Sequence, residues 1–207
     1  FLYKALIMST WLKYFLPAYF LIYLFTAFVW RSFVTWKRTG VNPLVFGKTA
    51  SVHDFAGRAF KFTIALSAVA VFLYAFSAQA YSYLAPLTWL RHPTLIVTGI
   101  ILLAASLLWT LLAQIQMGNS WRIGIDEQHT TELVQAGVFR FSRNPIFLGM
   151  MITLLGFFLA IPNALTLLVF GLGVVLMQIQ IRLEEEYLTK KHGERYAAYC
   201  RNVRRWL

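Results

Sequence analysis

The chain has 207 residues, of which 59% are hydrophobic and 13% charged, a balance outside the range of soluble domains. Its formal net charge of +11 comes from basic residues between and after apolar stretches, so membrane lipids with anionic headgroups, and no nucleic acid, are the expected partners. The lone cysteine, Cys200, excludes an internal disulfide framework and a cysteine-rich metal site, and no metal is expected.

The residues ahead of the first apolar stretch lack the basic, apolar, small-residue pattern of a signal peptide, and Met8 is a candidate natural start. Crossing a hydrocarbon core takes roughly 20 apolar residues, and five stretches approach that length: 14–34, 56–84, 94–115, 146–161 and 163–181. His53 and Asp54, ahead of the second stretch, and His129 read as solvated loop residues. The second stretch is long enough to tilt or to run past the interface. Arg91-His92-Pro93 reads as the start of the third. Pro162 separates the fourth from the fifth, which predicts a tight hairpin, and Gly171 and Gly173 in the fifth predict close helix packing. The fold class is an all-α integral membrane protein, one membrane domain over residues 1–207 with about five transmembrane helices.

Basic residues orient it, because cytoplasmic connections carry the Lys and Arg excess. With the C-terminus inside, Lys37, Arg38, Lys48, Arg58 and Lys61 share a side with Arg31, Arg122, Arg140, Arg143 and every basic residue from Arg182 onward. Only Lys4, Lys13 and Arg91 lie opposite. The inner, cytoplasmic membrane is the expected location. After the fifth stretch, Leu183, Tyr187, Tyr196, Tyr199, Val203 and Trp206 alternate with basic residues at helical steps. They predict a cytosolic amphipathic helix on the membrane surface, interrupted at His192-Gly193.

Two stretches concentrate polar chemistry. The connection into the fourth span holds Met117-Gly118-Asn119-Ser120-Trp121-Arg122 and then Gly137-Val138-Phe139-Arg140-Phe141-Ser142-Arg143-Asn144-Pro145, and it is far longer than a helix hairpin requires. Arg182-Leu183-Glu184-Glu185-Glu186-Tyr187-Leu188 sets consecutive acids at a span's end. A carboxylate is costly there unless it meets a cation or donor, and Arg143 and Arg182 are the candidates. Taken alone, Arg143-Asn144-Pro145 is a juxtamembrane cation, an N-cap and a first-turn proline. Glu186 and Lys190 read as an i,i+4 surface pair, and Tyr196 and Tyr199 as packing at the interface.

Together, the Gly-aromatic-Arg order, the Arg-Asn-Pro turn, the short hairpin, Arg-x-Glu-Glu-x-x-Leu and Gly-x-x-Tyr-x-x-Tyr resemble the isoprenylcysteine carboxyl methyltransferase family and its prokaryotic relatives. Phospholipid N-methyltransferases share a similar region. The resemblance covers roughly residues 117–204. Asn144 stands where a His is common and Phe147 where a Tyr is common, and the Asn form is closer to the bacterial and phospholipid-methylating relatives.

The resemblance implies an S-adenosylmethionine-dependent methyltransferase acting on a lipophilic acceptor, an isoprenylcysteine-like carboxylate or a lipid amine. Residues 117–145 and 182–207 then form a cytosolic cofactor-binding region. Arg143, Asn144 and Glu185 are the implied catalytic residues. For the cofactor, Arg143 and Asn144 are assigned to its carboxylate or ribose, Glu184 or Glu185 to its ammonium, and Phe139, Phe147 and Leu148 to adenine. Gly137, Pro145 and Arg182 complete the set, and Trp121 and Arg122 are candidates to close the loop over it. A carboxylate acceptor needs no general base, whereas an amine must first lose a proton. Two other functions fit the span pattern: an NADPH-dependent sterol or lipid double-bond reductase, and a noncatalytic scaffold or small transporter.

Overall fold

The computed structural model describes residues 2–44, 52–124 and 132–207, with side chains from Thr10 onward in the first segment. Lys48 and His129 lie outside the described residues. Helix α1 (Leu2–Leu24) passes through a π-helical turn, Phe25–Trp30, straight into α2 (Arg31–Thr39). Then come α3 (Val52–Phe76), α4 (Ala78–Ser82), α5 (Pro93–Met117), α6 (Pro145–Ala160), α7 (Ala164–His192) and α8 (Glu194–Asn202).

Among the described residues there is no strand, only the isolated bridges Leu44 to Ile123 and Pro86 to Asn163. Each bridge ties together two connections at one end of the bundle, so successive long helices run in alternate directions. Among the described residues four helices are long and apolar enough to cross a membrane: Thr10–Thr39, Val52–Phe76, Pro93–Ser120 and Ala164–His192. Helix α6 is apolar but has 16 residues. At 1.5 Å per residue it rises about 24 Å, less than the roughly 30 Å of a hydrocarbon core.

Helices α5 and α6 pack backbone to backbone. A Cβ on Gly99 would stand 2.7 Å from the Ala160 nitrogen and 2.8 Å from the Gly156 oxygen, so only glycine permits this crossing. Further along the same contact, and between α5 and α1, hydroxyls join the packing. Tyr19 donates to the Leu103 carbonyl at 2.8 Å, Ser106 and Thr153 share a bond at 2.9 Å, and Tyr23 meets Thr110 at 3.4 Å. The hairpin between α6 and α7 closes on a capping box, in which Asn163 accepts from the Thr166 N-H and Thr166 from the Asn163 N-H.

The structure revises three local expectations. The second stretch does not continue to residue 84: α3 stops at Phe76, and Ser77, in extended conformation, caps the separate α4. The chain after Ile181 does not begin a new surface helix. Leu, Glu and Lys are strong helix formers, so α7 runs on through the acidic run to His192, and Gly193 at φ 50° breaks it before α8. His53 and Asp54 belong to the first turns of α3, where Asp54 is buried and His53 Nδ1 lies 3.3 Å from Gln180 Nε2.

Candidate functional site

The end of the bundle that holds the Leu44 to Ile123 bridge gathers both polar stretches. Gly137 opens a 3-10 turn, Gly137–Arg140, at φ 63°, and a Cβ there would collide with the Gln116 side chain. Gln116 instead accepts from the Val138 N-H at 2.7 Å. This buries Val138 and Phe139 against α5 and the start of α6. The turn leads into Ser142-Arg143-Asn144, whose Pro145 carbonyl accepts from Trp109 Nε1 at 2.8 Å.

Arg143 is engaged through both terminal nitrogens, while its buried Nε is without a partner among the described residues. Its Nη2 donates to Glu185 Oε1 at 2.9 Å, and its Nη1 donates to the carbonyls of Val203 at 2.7 Å and Cys200 at 3.2 Å. Arg205 grips the same carboxylate, with Nη2 to Oε2 at 2.6 Å and Nε to Oε1 at 3.1 Å. The Arg143 and Glu185 side chains are only 12% and 16% exposed, so the contacts are charge-assisted bonds in a partly desolvated setting. The bond to Glu185 holds the Arg205 guanidinium above its ordinary pKa. For Arg143, burial is the largest influence and works against the charge, but the Glu185 bond together with the surrounding negative and titratable groups outweighs it and the net direction is also upward.

Asn144 does not cap α6 with its side chain; its Nδ2 donates to the Arg205 carbonyl at 3.2 Å. Tyr196 and Tyr199 are buried, which raises the pKa of both phenols, that of Tyr199 to about 12. Tyr199 therefore remains a donor, and its hydroxyl bonds the Phe139 carbonyl at 2.6 Å. Tyr199→Phe is expected to lower stability by about 1 kcal/mol, the net worth of one buried hydrogen bond, read as a drop in the thermal unfolding midpoint.

Neighbouring residues on an α-helix point about 100° apart, so Glu184 does not join this cluster. It faces a cavity of about 640 Å³ between the π turn of the first helix, α3, α5, the first turns of α6, and α7. The volume suits a cofactor-sized ligand. Phe147, Ile146 and Trp121 supply apolar wall, and Lys61 and Arg122 are its cations. Two buried glutamines also line it, each 3% exposed. Gln114 Nε2 donates to the Ala27 carbonyl at 2.9 Å and Gln180 Nε2 to Glu184 Oε1 at 3.2 Å. These bonds fix the two amides, and both Oε1 atoms are left with no partner. Both oxygens are sealed from the surface, so each is a buried acceptor without a donor, which is costly.

Of the residues singled out from the sequence, Phe147, Glu184, Trp121 and Arg122 line the cavity. Gly137, Phe139, Arg143, Asn144, Pro145 and Glu185 form the buttress beside it. Leu148 sits half-buried in the first turn of α6, and its N-H donates to the Asn144 carbonyl. Arg182 is exposed and, among the described residues, makes no ion pair. Glu186 pairs with Lys190 at 2.6 Å on the surface. Arg31 stacks over Trp121 at 5.8 Å and bonds the Gly118 carbonyl at the end of α5.

Sequence reasoning missed Gln114, Gln180 and Arg205. A signal for the first was present: Ser106, Thr110 and Gln114 form an i, i+4, i+8 polar stripe on a very apolar helix, and Gln180 precedes Glu184 by one helical turn. Among the described residues no group of His, Cys, Asp or Glu is placed to hold a metal ion.

Residues 94–195 match the family model described as phospholipid methyltransferase. An uncharacterised protein of Haemophilus influenzae is 40% identical over 63 residues, which is 30% of this chain and all of that protein. Both polar stretches and most of the cavity's α5, α6 and α7 walls fall inside the matched segment, and the span-length helices mark an integral membrane protein. The similarity, which spans just under half of the chain, therefore supports a membrane methyltransferase acting on lipids, related to the phospholipid methyltransferase family.

Proposed function

We propose that this protein is an S-adenosylmethionine-dependent methyltransferase whose acceptor is the amine of a membrane lipid. The observation that carries the reading is a largely apolar, cofactor-sized cavity whose wall holds the Glu184 carboxylate together with the cations Lys61 and Arg122. When bound, S-adenosylmethionine supplies an activated methyl group that is displaced in line. The wall fits that cofactor, since Glu184 complements its ammonium and Lys61 and Arg122 its carboxylate, with Phe147 and Trp121 as flat apolar surface for adenine.

The same wall favours an amine over a carboxylate as acceptor. A carboxylate would be repelled by Glu184, whereas an amine would not. An amine attacks only as the free base, and a mostly apolar cavity disfavours its charged form. Catalysis on this reading is chiefly positioning in a water-poor chamber. Arg143, Asn144 and Glu185 act as positioning residues that fix the first turn of α6 against α7. The excess of basic residues at this end supports a site at the cytoplasmic leaflet, with the C-terminus in the cytosol.

The test is a calorimetric titration of the detergent-solubilised protein with S-adenosylmethionine and with NADPH, followed by methyl transfer to an aminophospholipid and to a farnesylated cysteine. Binding of the first cofactor alone and methylation of the amine are expected. NADPH binding with S-adenosylmethionine inert would replace the reading by a reductase, and methylation of the cysteine carboxylate alone would overturn the choice of acceptor.

A further inference from the structure

Residues Val203 to Arg205 lie beyond the matched segment 94–195, yet they are sewn to the turn that opens α6. Four donors on residues 142–144 reach carbonyls of this strap: the Arg143 N-H bonds Arg204 at 3.0 Å, Arg143 Nη1 bonds Val203, and Ser142 Oγ and Asn144 Nδ2 both bond Arg205. With its backbone so held, Arg205 presents its guanidinium to Glu185 across two bonds. Among the described residues, Arg205 supplies two of the three side-chain donor contacts to that carboxylate, including the one on Oε2. It does not line the cavity.

The rotation of α7 about its axis decides where Glu184 points, because Glu184 and Glu185 are one residue apart on a rigid helix. Held by the fork of Arg205, Glu185 fixes that rotation, and a planar, two-point contact sets an angle that a single point charge does not. We infer that Arg205 is a positioning residue for methyl transfer: by clamping Glu185 it aims Glu184 into the cavity. This rests on the cofactor assignment made above for Glu184.

The experiment compares S-adenosylmethionine titrations of the full-length, detergent-solubilised wild type with those of Arg205→Ala, Arg205→Lys and Arg201→Ala. Arg201 is the control, since its pair with Glu194 is exposed and away from the cavity. Arg205→Ala is expected to weaken binding roughly tenfold, the loss of a charge-assisted contact, and Arg205→Lys to recover part of it. Arg201→Ala should bind like wild type. Amide hydrogen exchange in ligand-free protein should rise over residues 183–188 in Arg205→Ala but not in Arg201→Ala. Wild-type binding matched by Arg205→Ala, or equal weakening by both alanine variants, overturns the inference while leaving the cofactor assignment standing. A wild type that ignores S-adenosylmethionine overturns the cofactor assignment and the inference with it.

Discussion

Glu184→Ala is expected to weaken S-adenosylmethionine binding roughly 10- to 100-fold, as loss of a charged hydrogen-bond partner in a sheltered site should. Among the described residues Glu184 is the one carboxylate on the cavity wall. Glu184→Gln keeps an acceptor oxygen without the charge and should fall between the two. Glu186→Ala removes an acid two residues away that is exposed and paired with Lys190, and its titration should overlay that of wild type. The fold should tolerate Glu184→Ala, because removing a carboxylate from an apolar wall relieves a desolvation cost. A thermal unfolding midpoint at or above that of wild type, together with lost binding, is therefore the predicted pair of results. Equal binding by Glu184→Ala and Glu186→Ala would dismiss Glu184 from the cofactor site.

The second large effect lies at the other end of the ledger, in stability. Gly99→Leu should lower stability by about 3 kcal/mol or unfold the protein outright, the upper range for forcing atoms into a packed interior. The atoms its Cβ would meet, the Ala160 nitrogen and the Gly156 oxygen, are backbone and cannot swing aside. Helices α5 and α6 would have to part, and the Ser106 to Thr153 bond between them would open. Gly171→Leu is the matched control, since a Cβ on Gly171 meets nothing within 4 Å. Thermal unfolding in detergent separates the cases, and a Gly99→Leu midpoint equal to that of Gly171→Leu would refute the argument.

Much of this architecture is legible in the residues because the bilayer imposes a one-dimensional rule. Apolar length alone finds each long helix, and Pro93, Pro145 and Asn163 mark three of the starts. What length does not encode is where a helix stops once it has left the apolar zone. The acidic run was read as a new element because its polarity changes at Arg182, but polarity is no helix breaker and the chain continues to Gly193. The site divides along the same line. The local turn around Arg143 and its attraction to an acid on the next helix follow from motif and charge. That Glu185 takes Arg143 while Glu184 faces the cavity depends on helix phase, and the grip of Arg205 depends on a chain reversal after α8. Gln114 and Gln180 escaped because uncharged amides in an apolar run look like small perturbations of a membrane span until their partners are seen.

The π-helical turn at Phe25–Trp30 gives the first crossing segment two phases. A π turn accommodates one residue more than an α turn, so the tyrosines above it and Arg31 below it need not share a single helical register. Above the offset, Tyr19 and Tyr23 meet α5; below it, Arg31 reaches Trp121 and the Gly118 carbonyl. Midway, the Ala27 carbonyl is taken by Gln114 from across the bundle. The inserted residue thus works like a vernier. It lets one unbroken rod mesh with the hydrophobic middle of its neighbour and with that neighbour's polar end, two gearings that a uniform helix would force out of step.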